Sequence, residues 1–479
     1  MNEQVLLIDI PTYRQKIQSS HRKLLGLIAK AEVLLQRKHI GVFVRGHDMY
    51  SRGLLSIASY LERHGIPVKY SVYEQSMTDE ELKKKLEGVR VVGITCVTPT
   101  IHIALSLCRL IKTFDQQVVC VLGGPHVWFL DKETIENHPE VNVVVRGEGE
   151  YAFLDLLHHI NELHRVKGVT YRDGCRTLKN EDRLEVEREF PTINYGFLTK
   201  PLQSYAHNVM ATRGCPNKCS YCVDNRFRGV RSSPTEDIIE ELNFLNGSLK
   251  KGTVIHFCDS DLLLKKHWSS DLLRKIAQEK FDLAFSCDAR PDSVTPELIR
   301  KLELANFREI NLGFEDLDNT VLECLDKGLK FEVAIQACET VRKNSDLMIK
   351  VYMMAGLPGS SRETEYNNSK RLQHLFNQGL IDLVSLRIFV PYPGTKIFHN
   401  PRKFGISILT RDWQQYDRFS FPVYRLSALN EHEIYSYFWK LQALVLRNYC
   451  KKLGMTLNEL ASFDVDEESL DYIYQNYVR

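Results

Sequence analysis

Runs of β-branched and apolar residues alternate along the first third of the chain with stretches in which apolar positions recur every three or four residues. Val5 to Ile10, Gly41 to Val44, Val68 to Tyr73, Val91 to Val97, Val118 to Leu122 and Val141 to Val145 read as strands. Between them Leu54, Leu55, Ile57, Ala58 and Leu61 form one helical face, as do Ile101, Ala104, Leu105 and Cys108. Continuous apolar strands separated by amphipathic helices predict a doubly wound, Rossmann-like parallel sheet over residues 1–165, covered on both faces.

The pattern then changes. Gly168 to Arg172, the pair Asp173-Gly174, and charged residues alternating with Leu184 and Val186 predict a hairpin and an extended linker over 166–204. Strand-like runs return at Asn208 to Thr212, Val254 to Phe257, Leu283 to Ser286, Glu309 to Phe314, Ile349 to Met354 and Leu383 to Val390, with helices between them. This second α/β unit, 205–400, is predicted to be a partial (β/α)6 barrel of the TIM type. Residues 401–479 predict a helical tail, with helices at Glu431 to Leu453 and Ser469 to Tyr477. Its aromatic stretch Tyr435, Tyr437, Phe438 and Trp439 reads as helix packing, since no basic stripe accompanies it.

A chain of 479 residues exceeds what one core serves, in keeping with several domains. The formal net charge of +2 gives no field of one sign, which argues against nucleic acid as a partner. Apolar runs fall short of the roughly eighteen residues of a membrane span, and Met1 to Pro11 lacks the basic start of a signal peptide, so a cytoplasmic protein with no membrane partner is expected. Of the 12 cysteines most are scattered and read as buried thiols.

The exception is Arg213-Gly214-Cys215-Pro216-Asn217-Lys218-Cys219-Ser220-Tyr221-Cys222, three thiols in one loop directly after a predicted strand. Thiolates are the usual ligands of iron–sulfur clusters, and no fourth cysteine follows at short range. Three ligands on four irons would leave one iron open for chemistry. Taken alone, the triplet also allows a structural zinc site completed from elsewhere, or an electron carrier.

The Cys-x-x-x-Cys-x-x-Cys spacing, the aromatic Tyr221 before the last cysteine and the strand leading in together resemble the radical S-adenosylmethionine (SAM) superfamily. The resemblance implies a 4Fe–4S cluster on Cys215, Cys219 and Cys222, reductive cleavage of SAM to a 5′-deoxyadenosyl radical, and Tyr221 against the adenine. It continues in order through His256-Phe257-Cys258-Asp259-Ser260-Asp261, where Asp259 and Asp261 stand in place of an acidic pair, and Asn311-Leu312-Gly313-Phe314-Glu315-Asp316 with Lys327-Gly328, where Glu315 is implied to meet the cofactor. Gly356-Leu357-Pro358-Gly359 and Pro391-Tyr392-Pro393-Gly394-Thr395 follow. All fall at carboxyl ends of predicted barrel strands, where such folds bind ligands. Gly356 and Gly359 would let backbone approach the nucleoside, or simply form a tight turn; Asp259 and Asp261 could equally be helix caps.

In the first domain, Thr95 and Thr98 lie at one strand end, Gly123 and Gly124 at the next, and Arg146-Gly147-Glu148-Gly149-Glu150 after a third. This edge resembles the cobalamin-binding domain that precedes the radical barrel in one subclass, and implies cobalamin contacts at Thr95, Thr98, Gly123, Gly124 and Glu148. A departure is Arg45-Gly46-His47-Asp48-Met49-Tyr50-Ser51-Arg52-Gly53, which lacks the Asp-x-His-x-x-Gly order of a lower cobalt ligand. Cobalamin would then bind without a histidine on cobalt, or the domain has lost it. The subclass implies a cobalamin-dependent C-methyltransferase acting on a small-molecule or peptide substrate, with a flavodoxin or ferredoxin as electron donor. Rearrangement, cyclisation or ring contraction is the alternative radical outcome, and a non-catalytic iron–sulfur sensor the alternative of another class.

Overall fold

The computed structural model describes residues 4–11, 19–40, 49–183, 190–224 and 229–463. The strand expected at Gly41 to Val44, His47, the linker residues Leu184 and Val186, and the helix expected at Ser469 to Tyr477 lie outside the described residues.

The first sheet contains β1 (Gln4–Asp9), β2 (Val68–Val72), β3 (Val89–Thr95), β4 (Val119–Gly123), β5 (Val143–Val145), β6 (Val169–Asp173) and β7 (Arg176–Lys179), in the order β2-β1-β3-β4-β5-β6-β7. Strands β1 to β5 run parallel, and their side chains fill cores on both faces of the sheet. The hairpin expected between two domains instead joins this sheet, because β6 pairs antiparallel with β5. Val169 and Tyr171 are buried there, and the pairing covers what would be an open edge of three valines. Arg146 holds the hairpin from beneath, donating to the Val169 carbonyl at 2.7 Å and the Asn180 carbonyl at 2.7 Å.

The second sheet has β8 (Asn208–Val209), β11 (Val254–Phe257), β12 (Ala284–Ala289), β13 (Phe307–Glu315), β14 (Met348–Ala355) and β15 (Leu383–Ile388). These six strands are all parallel and lie in the order β15-β14-β13-β12-β11-β8, an open barrel in which chain order equals spatial order. A separate two-residue ladder pairs β9 (Thr212–Arg213) with β10 (Arg231–Ser232), and the cysteine loop leaves from it. The C-terminal region is not wholly helical: β16 (Ile406–Ile408) and β17 (Tyr424–Leu426) form a hairpin ahead of the expected helix Glu431–Leu453. That helix starts on a capping box between Asn430 and Glu433 and ends at Gly454 in the left-handed region.

The helix Ser19–Ile40 leaves the first sheet and packs against Glu431–Leu453 and the base of the barrel. There Lys350 donates to Glu32 at 3.2 Å, and Gln36 to Glu309 at 2.6 Å. Trp439 stacks on His21 with ring centroids 3.9 Å apart, so the tail aromatics pack helix on helix. Among the described residues no helix is long and apolar enough to cross a membrane.

Candidate active site between the two sheets

Both sheets turn the carboxyl ends of their parallel strands toward a shared space. A cavity of about 2130 Å3 has Thr98 and Pro125 of the first domain on one wall and Tyr221, Cys222, Arg387 and Tyr392 of the barrel on the other. A smaller cavity of about 410 Å3 is lined by Thr95, Gly123, Gly124 and Glu148, and by Phe190 and Met210.

The cysteine loop begins at Gly214, whose φ of +88° turns the chain out of the ladder at a conformation that glycine adopts without strain. Cys219 is buried, and Cys215 and Cys222 are half-buried. Asn217 donates from Nδ2 to the Cys215 sulfur at 3.3 Å, the Asp224 backbone N–H to the Cys222 sulfur at 3.4 Å, and Arg290 Nη1 lies 4.0 Å from the Cys219 sulfur. Ser220 stitches the loop down: its N–H donates to the Leu325 carbonyl at 2.8 Å, its hydroxyl to Asp326 at 3.0 Å, and its carbonyl accepts from Ile397 at 3.2 Å. Burial pushes the Cys222 thiol up to about 12, and the Asp224 carboxylate adds to the effect. A thiolate there needs a positive partner, which a bound metal supplies. Among the described residues no three His, Cys, Asp or Glu side chains converge on a single ion position. A cubane takes each thiolate on a separate iron, and three thiols of one loop, Cys215, Cys219 and Cys222, are a donor set of that kind.

Beside the loop, Lys327 donates from Nζ to the Tyr221 hydroxyl at 3.2 Å and to Glu315 at 2.9 Å. Glu315 sits in the left-handed region at φ +67°, on a bulge where the β13–β14 register shifts. A Cβ at Gly313 would lie 2.9 Å from the Glu315 carboxylate and 3.3 Å from the ammonium, so glycine is what admits this pair. Lys327 is only 4% exposed. The sequence places it in a motif without a role; nothing short of the fold brings it back to Tyr221, 106 positions earlier.

Several residues expected to contact cofactor have protein partners in this structure. Asp259 accepts from the Ala211 N–H at 3.3 Å, the Thr212 hydroxyl at 2.5 Å and the Thr212 N–H, so it fixes the strand that feeds the cysteine loop. Asp261 accepts from Leu263 N–H at 3.1 Å and from Ser293. Burial pushes both carboxyls up to about 6, and both serve the loop architecture, as capping residues do. Gly356, at φ +75°, faces Ile434 and the Tyr424 hydroxyl, which donates to its carbonyl at 2.5 Å; the close approach is to the C-terminal segment. Gly359, at φ +89°, lies against Cys324, where an added Cβ would be 3.3 Å from its Cβ.

On the first sheet, Gly123 is open where a side chain would project, while Gly124, at φ +103°, abuts the Cys96 backbone. Thr98 shares a hydrogen bond of 3.2 Å with His126 Nδ1, whose imidazole burial lowers to about 4 and keeps neutral. Glu148 is engaged by Arg213 at 3.2 Å and by Arg231, so its carboxylate faces the barrel's arginines.

Just beyond Glu315, burial and then the nearby Glu365 carboxylate push Asp316 up to about 8, while burial pushes Glu365 up to about 7. Asn368 donates to both oxygens of Asp316 at 3.0 and 3.1 Å, and its own buried Oδ1 has no hydrogen-bond partner among the described residues. The folded chain thus holds protons that the unfolded chain releases near pH 4, and stability declines as pH rises from about 4 toward 8. Asp316→Asn lets the new amide donate to a flipped Asn368. It is expected to raise the thermal midpoint near pH 8 by about 2–4 °C and to give no gain below about pH 5, as scanning calorimetry at the two pH values would show.

The fold and this mouth define the class. The sequence matches the B12 binding domain family over residues 38–157 and the Radical SAM superfamily over residues 209–366, and the chain belongs to the radical SAM superfamily, in the group with a B12-binding domain ahead of the barrel. It is a radical SAM enzyme, and its cofactors are those of the two domains: a 4Fe–4S cluster, SAM and cobalamin. Among its relatives is an uncharacterized methyltransferase of Pyrococcus horikoshii, 26% identical over 80% of this chain and 84% of the relative. The anaerobic magnesium-protoporphyrin IX monomethyl ester cyclase of Cereibacter sphaeroides is 23% identical over 80% of this chain and 64% of its own length. In fold the chain is similar to TsrM of Kitasatospora setae, a radical SAM methyltransferase, with a TM-score of 0.66, 17% identity, and 92% and 89% of the two chains covered.

Proposed function

We propose that this chain is a cobalamin-dependent C-methyltransferase, acting on an unreactive carbon of a small-molecule or peptide substrate. The observation that carries the reading is the single cavity of about 2130 Å3 with Thr98 on one wall and Tyr221 and Cys222 on the other. Ligand sites for one drug-sized molecule run to about 1,000 Å3, so this space suits a corrin and a substrate together. When bound, the cluster delivers the electron that cleaves SAM and the corrinoid carries the methyl group.

The chain's own part is to position these groups and exclude water. Cys215, Cys219 and Cys222 would hold the cluster, and the Arg290 guanidinium sets positive charge beside the Cys219 sulfur. Tyr221, tied through Lys327 to Glu315, offers a fixed ring face and a carboxylate to a nucleoside. Thr95, Gly123 and Gly124 line the smaller cavity and would hold the nucleotide tail of cobalamin, and Thr98, on the larger cavity, would lie on the corrin side. A flavodoxin or ferredoxin supplies the electron.

Anaerobically reconstituted protein is expected to retain close to one cobalamin, to form 5′-deoxyadenosine under a low-potential reductant, and to pass label from methyl-labelled SAM to cobalamin. A full cluster with neither corrinoid nor 5′-deoxyadenosine would sink the reading. The similarity to the Cereibacter cyclase supports a second reading, radical cyclisation; under that reading this chain would form 5′-deoxyadenosine and no label would enter the product.

A further inference from the structure

The Gly-Glu-Gly-Glu segment 147–150 lines the smaller cavity, and both its carboxylates are also turned onto barrel residues. We infer that Glu148 and Glu150 form a latch that sets the cysteine loop against the first domain, with Arg213 and Arg231 as its positioning residues. The inference rests on the reading that this loop holds the cluster.

The latch follows from the ladder that supports the loop. In the antiparallel β9–β10 pair Arg213 lies directly opposite Arg231, and like charges in that position repel. Carboxylates from the other domain reverse this. Glu148 takes Arg213 at 3.2 Å and also takes Arg231, while Glu150 takes Arg213 at 2.7 Å and the Ser56 hydroxyl at 2.7 Å. Glu148 stands at the N-cap position of the helix Gly149–His158, without a side-chain cap bond, and Glu150 lies in its first turn, where the helix dipole favours negative charge. The Phe190 ring adds a flat face, with its centroid 4.7 Å from the Arg213 guanidinium carbon and 5.8 Å from that of Arg231. All four charged side chains are less than one fifth exposed, so solvent screens them little. Arg213 stands two residues before Cys215, which makes the ladder the base of the whole cysteine loop. Docking of the first domain is therefore what makes that base electrostatically acceptable.

A second tie joins the same domains: Arg52 is bidentate to Glu241 at 2.7 and 2.8 Å, and donates to the Asn208 carbonyl at 2.8 Å. It touches neither β9 nor β10 and provides the control. Amide hydrogen exchange of the chain as purified, without added cofactors, is the test. In Glu148→Gln/Glu150→Gln, exchange over residues 214–224 is expected to quicken about ten-fold, with the helix Glu431–Leu453 unchanged. Arg213→Gln should behave alike, and Glu241→Gln should leave 214–224 as in the wild type. Unchanged protection in the double variant, or equal acceleration in Glu241→Gln, overturns the latch. In the reconstituted protein, pulsed EPR between the reduced cluster and cob(II)alamin should give one sharp distance in the wild type and a broadened one in the double variant. A wild type that binds no corrinoid would count against the proposed function, while the exchange result still decides the latch.

Discussion

In Cys219→Ala the brown iron–sulfur absorption is expected to vanish and 5′-deoxyadenosine production from SAM to fall by about a thousand-fold or more, while the far-ultraviolet circular dichroism stays that of the wild type. Cys219 is 6% exposed and is the cysteine whose sulfur approaches Arg290. Taking it away leaves two thiols on a cluster built for three and an arginine facing an apolar methyl. The fold should tolerate the change, because the loop is pinned by the neighbouring Ser220 through both backbone bonds and its hydroxyl. Cys175→Ala is the matched control: Cys175 is exposed on the turn between β6 and β7, and its loss should leave iron and sulfide content unchanged. Iron and sulfide analysis after anaerobic reconstitution checks both. A Cys219→Ala protein with full cluster absorption would mean that another side chain completes the set.

The expected result rests on features that differ in how readily a sequence reveals them. Strands β1 and β11 to β15 are legible because each is a short run of apolar residues between helical patterns, and a parallel sheet covered on both faces demands that composition. The hairpin at 169–179 is legible as a hairpin but not as the edge of the first sheet, since pairing partners leave no periodic trace. The cysteine triplet announces itself by spacing. Asp259 and Asp261 read as ligand residues or as caps with equal force, and their hydrogen bonds to Thr212 and Ser293, both from distant segments, leave no trace in the local sequence. Gly356 has the same ambiguity: a glycine at a strand end signals that something comes close, and Ile434, 78 positions later, cannot be read from the local sequence. Lys327 and Arg213 were hidden for a related reason. Their partners come from distant segments, and a charged residue at a strand end or in a loop is usually solvated.

Glu32→Ala is expected to lower the stability of the barrel by about 3–5 kcal/mol, the cost of removing one side of a buried ion pair. Glu32 is 1% exposed, and its carboxylate meets the Lys350 ammonium at 3.2 Å and the Tyr449 hydroxyl at 3.4 Å. Those partners lie on β14 and on the helix Glu431–Leu453, so one side chain from the N-terminal segment joins the barrel to the C-terminal helix. Alanine would leave a lysine charge in the barrel base without this carboxylate, together with a void the size of the lost side chain. If the cost comes from the lost ion pair, Glu32→Leu/Lys350→Met should recover most of it, since a well-packed apolar pair can replace a buried ion pair at little loss. If it comes from loosened packing, the double variant stays as weak as the single one. Urea midpoints of the three proteins separate the two causes. A Glu32→Ala midpoint equal to the wild type would show that the helix Ser19–Ile40 is not an integral part of the barrel's base.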